Sequence, residues 1–260
     1  MEEKDWQDRF KYTSHMTFEK SHLVTVHSIR DWTYTAEEVF SEKWIPDLDV
    51  KTHELSRCWF LLEPFPYWDG IGHAYLTFEW SNGTALSFSI EARLRKHQKY
   101  SPITGLTNAY QLGYTWGTER DFLTERLIYK NHAIYMYPLD LSKERIRSLF
   151  CAAAEETNAL HKRPKYYNSL TANCVNSLAR LIGQQFPNIL PYDPALHVPG
   201  FMDFFFMRKG LITASKNYLE TRNQHDISKY REAIAGFATK GTHHDFSVSL
   251  RALLKSRMGF

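Results

Sequence analysis

Cys174 follows the run Tyr167-Asn168-Ser169-Leu170-Thr171-Ala172-Asn173 and opens an apolar-periodic segment that begins Val175-Asn176-Ser177-Leu178. Asn and Thr cap helix starts, so the pattern predicts a thiol in the first turn of a helix. Unpaired backbone N–H groups and the positive end of the helix dipole stabilise an anion there, which predicts a thiol that ionises near neutral pH. Such a thiolate attacks acyl carbonyls when an imidazole exchanges protons with it and a third polar group fixes the ring's tautomer.

The imidazole and the third group come from one hairpin. Residues 72–80 and 84–93 alternate strictly, with Ala74, Leu76, Phe78 and Trp80 on one face matched by Leu86, Phe88, Ile90 and Ala92. Their apolar faces coincide only if the loop has an odd number of residues, and Ser81-Asn82-Gly83 puts glycine where a left-handed conformation is wanted. Trp80 then faces Thr84, Thr77 faces Ser87, Tyr75 faces Ser89, and His73 comes opposite Glu91. Directly opposed side chains lie roughly 5 Å apart at Cβ, so a histidine and a carboxylate can meet without help from the rest of the fold. The expected catalytic set is Cys174 as nucleophile, His73 as base and Glu91 as orienter. Ser89, Asn168 and Asn173 are the alternative orienters, and Asn173 reads foremost as a helix cap. Tyr75, Trp116 and Tyr167, beside Tyr166, are expected to line an apolar substrate channel, with Ser89, Asn168 and Asn173 as polar substrate contacts. The plainer reading of these residues is a small buried cysteine, a half-exposed strand histidine, a surface carboxylate and ordinary aromatic core.

The rest of the chain narrows the function classes. With 260 residues, 43% of them hydrophobic and 15% aromatic, it can bury one substantial core. A formal net charge of +3 gives no footprint for nucleic acid. Cys58, Cys151 and Cys174 make no Cys-x-x-Cys pair and leave an odd thiol, which argues against a disulfide scaffold or zinc ribbon. Cys58 in Arg57-Cys58-Trp59-Phe60-Leu61-Leu62 and Cys151 in an apolar helical pattern read as core residues. The twelve histidines show no metal-ligand spacing and there is no glycine-rich phosphate loop, so neither metal nor cofactor is expected.

Three parts are expected: an N-terminal extension over 1–55, a catalytic domain over 56–214, and a polar C-terminal extension over 215–260. In the first, only Leu23-Val24-Thr25-Val26 reads as a strand, and 32–51 reads as irregular. The clearest helix opens at Ser142, with Ile146, Leu149, Phe150, Ala153, Ala154, Thr157 and Leu160 on one stripe, and stops before Pro164. Glu119, Arg120 and Asp121 read as a structural ion-pair network. Beyond Ser215 looser packing is expected, ending in an amphipathic basic helix over 246–258 suited to docking or peripheral membrane contact. No stretch has the apolar length of a membrane span, and the start Met1-Glu2-Glu3-Lys4-Asp5 is not a signal peptide.

Four motifs arrive in order: Gly72-His73-Ala74-Tyr75-Leu76-Thr77-Phe78, Ser89-Ile90-Glu91-Ala92-Arg93, Gly117-Thr118-Glu119-Arg120-Asp121, and Tyr167 through Cys174. Together with Tyr192-Asp193-Pro194 and Val198-Pro199-Gly200, they resemble the Lnb N-terminal periplasmic domain family over roughly Ser56 to Ile212. The resemblance implies an α+β fold of permuted papain-like (NlpC-type) kind. Its antiparallel sheet packs against helices, and the histidine strand precedes the cysteine helix, as in lecithin:retinol acyltransferase relatives. It also implies acyl transfer, since the family's named member is associated with N-acylation of bacterial lipoproteins. By resemblance the nucleophile maps to Cys174, the base to His73 and the orienter to Glu91, and the partner is an acyl-bearing lipid or lipoprotein. A periplasmic location is implied too, while the missing export signal leaves a cytoplasmic location or a shortened chain as alternatives. Two other functions fit the same residues: a peptidase or amidase acting on cell-wall peptide, and a non-catalytic module that binds a ligand in the aromatic groove.

Overall fold

The computed structural model describes residues 5–66, 68–185 and 198–259. Among them are eight strands and seven α-helices in an α+β arrangement. The strands are β1 (His15–Phe18), β2 (Leu23–Tyr34), β3 (Val39–Lys51), β4 (Leu55–Phe65), β5 (Trp68–Trp80), β6 (Ala85–Arg93), β7 (Gln111–Thr118) and β8 (Tyr135–Pro138). They form one sheet in the order β1-β2-β7-β6-β5-β4-β8, with β3 paired to β2. Every pairing is antiparallel except the single parallel contact of β2 with β7 at Arg30 and Gly117.

Alternation along the central strands splits the core in two. Even-numbered residues of β5, Ala74, Leu76 and Phe78, meet α2 (Lys143–Lys162), α3 (Cys174–Gln185) and α4 (Met202–Arg208). The buried stripe of α2 is Ile146, Leu149, Phe150, Ala153, Ala154, Thr157 and Leu160, the residues its periodicity selects. Trp59, Leu61 and Tyr75 on the opposite face meet α1 (Glu119–Leu123), the π-helical turn that continues it over Thr124–Tyr129, α6 (Arg231–Ala238) and α7 (His243–Met258). The remaining helix, α5 (Tyr218–Gln224), lies beside α4.

The hairpin register is the one that alternation requires. Tyr75 pairs with Ser89, Thr77 with Ser87 and Phe78 with Leu86, and the Trp80 N–H donates to Thr84 O at 2.9 Å. Gly83 has φ of +89°, the left-handed conformation its loop demands.

Two expectations fail. Residues 39–51, read as irregular, form the thirteen-residue strand β3. It is an edge strand that is largely exposed, with Pro46 in its middle; only Leu48 and Val50, with Ile45, turn toward the core, too short an alternation to mark a thirteen-residue strand. The polar C-terminal part is not loosely packed: Ile234, Phe246, Leu250 and Leu254 are fully buried and close the second face of the sheet. Pro187, Pro191, Pro194 and the run Tyr192-Asp193-Pro194 lie outside the described residues.

Candidate active site

α3 begins where its sequence says it should. Asn173 Oδ1 accepts the N–H of Asn176 at 2.8 Å, and the Asn173 side-chain amide donates to Ser169 O at 2.8 Å. Val175, Leu178, Ala179 and Ile182 bury one side of the helix and press its first turn against β5 and β6. Asn168 serves the loop before it: its Oδ1 accepts the N–H groups of Leu170 and Thr171, and its amide donates to Leu106 O at 3.2 Å. Both asparagines therefore spend their polar atoms on shaping the approach to Cys174.

The β5–β6 ladder ends at Tyr75 and Ser89, two positions short of His73 and Glu91. At that break the backbone N–H groups of Ala74, Val175 and Cys174 itself lie close enough to the Cys174 sulfur to favour its anion. Nucleophile and histidine strand thus meet one residue from His73. Gly72 allows the close approach beside it, since a Cβ there would stand 2.8 Å from the carbonyl oxygen of Glu63 and 3.4 Å from Gly200 Cα.

His73 Nε2 lies 2.8 Å from Ser89 Oγ, and Ser89 Oγ donates to Glu91 Oε1 at 3.1 Å, while Nε2 and Glu91 Oε1 are 3.9 Å apart. The serine has one proton, and the carboxylate takes it. Ser89 must then accept from Nε2–H, which fixes the tautomer and leaves the Nδ1 lone pair as the basic site. Among the described residues Nδ1 has no hydrogen-bond partner. Glu91 therefore orients the ring through Ser89 rather than by direct contact.

Behind these residues lies a buried ionic network that the sequence did not disclose. Arg126, on the turn after α1, donates to Glu91 at 2.8 Å and lies 3.0 Å from Glu63 and 3.2 Å from Glu125. Arg9 reaches Glu125 at 2.5 Å and Glu91 at 3.5 Å. Glu63 is the direct cross-strand partner of His73 in β4 and also holds His132 at 2.6 Å. The one signal that pointed to Glu63 was a carboxylate ending the apolar run of β4. Glu119, Arg120 and Asp121 do not pair with one another. They reach Arg251 at 2.8 Å, Asp31 at 2.8 Å and Arg30 at 2.7 Å.

The electrostatics correct the expected ready thiolate. Burial pushes the Cys174 thiol up to about 11, against the lowering effect of the three backbone N–H groups and with the charge of Glu91 adding to the rise. Burial, then the Arg126 charge, takes the His73 imidazole down to about 4, although Glu91 and Glu63 favour its cation. Burial works against the Glu91 carboxylate, but Arg9 and Arg126 hold it down at about 2. The resting site therefore carries a neutral thiol, a neutral imidazole and an ionised carboxylate. The helix dipole acts here over one half-buried turn and does not outweigh desolvation.

The remaining candidates divide between core and rim. Trp116 is fully buried, stacked on Phe78, tilted against Phe88 and edge-on to Phe150, with Nε1 donating to Thr157 Oγ1 at 3.0 Å. Tyr75 is buried beneath the Arg126 guanidinium, with its ring 6.0 Å from that of His73. Tyr167 is buried, 3.1 Å from Tyr100 through their hydroxyls, and Tyr166 is exposed. Cys58 is wholly buried and its thiol is pushed far up by desolvation. Among the described residues no group of histidine, cysteine and acidic side chains is arranged to hold a metal ion.

The model of the Lnb N-terminal periplasmic domain family matches residues 40–198, more than half of the chain, and the protein belongs to that family. No curated protein and no solved structure matches it significantly. The matched stretch contains Cys174, His73, Ser89, Glu91, Glu63 and Arg126, whereas Arg9 and Arg30 precede it and α6 and α7 follow it.

Proposed function

We propose that this member of the Lnb N-terminal periplasmic domain family is a cysteine acyltransferase or hydrolase that forms a thioester on Cys174, with a permuted papain-like order of base before nucleophile. One observation carries the reading. At the point where β5 and β6 part, His73 carries a bare Nδ1, set by Ser89 and Glu91, one residue from Ala74, whose backbone N–H lies close enough to the Cys174 sulfur at the start of α3 to stabilise its anion.

The chemistry follows from those atoms. Because thiol and imidazole rest neutral, the Sγ–H proton passes to His73 Nδ1 as sulfur bonds to the acyl carbon. The carbonyl oxygen becomes an oxyanion, for which the first-turn N–H groups of Cys174 and Val175 are the donors. Collapse breaks the bond to the leaving oxygen, which takes the proton from the imidazolium, and the acyl group remains on sulfur. An amine or water then attacks the thioester, giving its proton to His73, and Cys174 leaves as the thiol. The positive charge on the ring is transient and is supported by Glu91 through Ser89.

An acyl-bearing lipid or lipoprotein is the preferred substrate in this reading; the periplasmic description of the family supports the location, and the acyl chemistry rests on the resemblance to lipoprotein N-acylation. The test is to incubate the protein with phospholipid, with and without a peptide bearing a free amino terminus, and to resolve the products by thin-layer chromatography and mass spectrometry. Lysophospholipid with acylated peptide identifies transfer, and lysophospholipid with free fatty acid identifies hydrolysis. Unchanged lipid under every condition contradicts the lipid reading. Cleavage of cell-wall peptide in a parallel incubation would then assign a peptidase or amidase.

A further inference from the structure

Arg126 is buried, although the four residues around it, Glu125, Leu127, Ile128 and Thr124, gave no helical stripe to predict it. It stands in the π-helical turn over Thr124–Tyr129, a local widening that re-aims side chains and recurs at functional sites. The guanidinium has three directions of contact. Nε faces Glu63 at 3.0 Å, Nη2 donates to Glu91 at 2.8 Å, and Nη1 donates to Phe122 O at 3.2 Å and Glu125 at 3.2 Å. Glu63 and Glu91 sit on β4 and β6, the two strands that flank the histidine strand β5, and Glu63 is paired directly with His73. The same guanidinium lies 4.9 Å above the ring of Tyr75, which in turn stands 6.0 Å from the ring of His73.

We propose that Arg126 is a positioning residue for His73. By gripping the carboxylates on both neighbouring strands it holds Glu91 where it takes the Ser89 proton, and so keeps the imidazole protonated at Nε2 and bare at Nδ1. This rests on the reading of His73 as the base for Cys174. The alternative to the clamp is a purely structural ion pair. The two differ because a structural pair has no reason to set the tautomer of a ring it does not touch. Without Arg126 the charge of Arg9 still faces Glu91 at 3.5 Å, but the hydrogen bond that pins Oε1 beside Ser89 is gone, so the carboxylate can turn away, Ser89 is no longer bound to act as acceptor, and both tautomers of His73 become allowed. Loss of the arginine charge also favours the imidazolium, so the ring becomes easier to protonate, because the nearby Arg126 cation opposes a second positive charge on it.

The experiment is heteronuclear NMR of the full chain with ring-labelled histidine, assigned through His73→Gln, comparing wild type with Arg126→Gln and Arg126→Lys. In wild type the shifts should show Nε2 pyrrole-like and Nδ1 pyridine-like, with titration near pH 4. Arg126→Gln should give mixed tautomers and a midpoint raised by about one unit or more. Arg126→Lys keeps a charge but cannot grip two carboxylates at once, so it should fall between the two. If Arg126→Gln does not fold, the lysine variant decides. A folded variant whose His73 keeps the wild-type tautomer and midpoint overturns the proposal. Alkylation of Cys174 in the same samples separates this question from the function: a responsive His73 beside an inert thiol would leave the clamp standing and remove the catalytic reading.

Discussion

With its thiol near 11 and its imidazole near 4, the Cys174–His73 pair does not hold a resting ion pair at pH 7. The consequence is visible in alkylation kinetics. Iodoacetamide should modify Cys174 about tenfold faster for each pH unit from 7 to 9, because the thiolate fraction grows in that proportion below the pKa. A rate that levels off below pH 8 would contradict the neutral pair. Glu91 gives a sharper contrast, since its charge opposes the thiolate but supports the imidazolium. Glu91→Gln should therefore speed alkylation at fixed pH by several-fold and slow acyl turnover at least tenfold, a split that mere loosening of the fold would not produce. Cys174, His73, Ser89 and Glu91 were legible in the sequence because hairpin alternation fixes three of them and helix capping fixes the fourth. Arg126, Arg9 and Glu63 were not, because their partners lie on other strands or far along the chain and ion pairing leaves no periodic trace.

Two elements converge on the site, the first turn of α3 and the parted end of the β5–β6 hairpin. Asn173→Ala removes the cap on Asn176 and should lower stability by about 1 kcal/mol. It should also alter the alkylation rate of Cys174, which sits one residue on, whereas a cap change at Ser142 on α2 should leave that rate alone. Gly72→Ala places a Cβ against the backbone of Glu63 and Gly200, neither of which is a flexible side-chain end. The strands must shift beside His73, so turnover should fall by an order of magnitude or more together with the melting temperature. Elements with a clean period were readable: the hairpin at period two, α2 near 3.6. α1 and its π turn were not, since Glu119, Arg120, Asp121, Glu125 and Arg126 are all buried and paired with residues such as Arg251, Asp31, Arg30 and Arg9. A helix that buries charge on every side has no amphipathic signature.

At the scale of the whole molecule, the sheet is closed on one face by α2, α3 and α4 and on the other by α1, α6 and α7. Termination before α7 should expose Trp59 and Leu61 and give an aggregation-prone protein. The buried charges also set how stability depends on pH. A histidine whose folded pKa lies below its unfolded 6.5 stabilises fully above 6.5 and loses that contribution as the pH falls toward its folded value of about 4. For His73 this amounts to about 3 kcal/mol. His15, His225 and His243 are shifted in the same direction, as are the depressed carboxylates Glu63, Glu91 and Glu125, while the raised carboxyls of Glu119, Asp121 and Asp203 act oppositely. The drop in melting temperature between pH 7 and pH 5 should thus be smaller in His73→Gln than in wild type, and equal drops would contradict the depressed imidazole. The most direct test of the whole account is covalent: incubate the protein with an activated acyl ester, quench in acid, and map the acyl adduct by peptide mass spectrometry in wild type, His73→Ala and Cys174→Ser. The account predicts a thioester on Cys174 alone, formed at least a hundredfold more slowly without His73 and absent in the serine variant. An adduct spread equally over Cys58, Cys151 and Cys174, or one on Cys174 that forms as fast without His73, would contradict it.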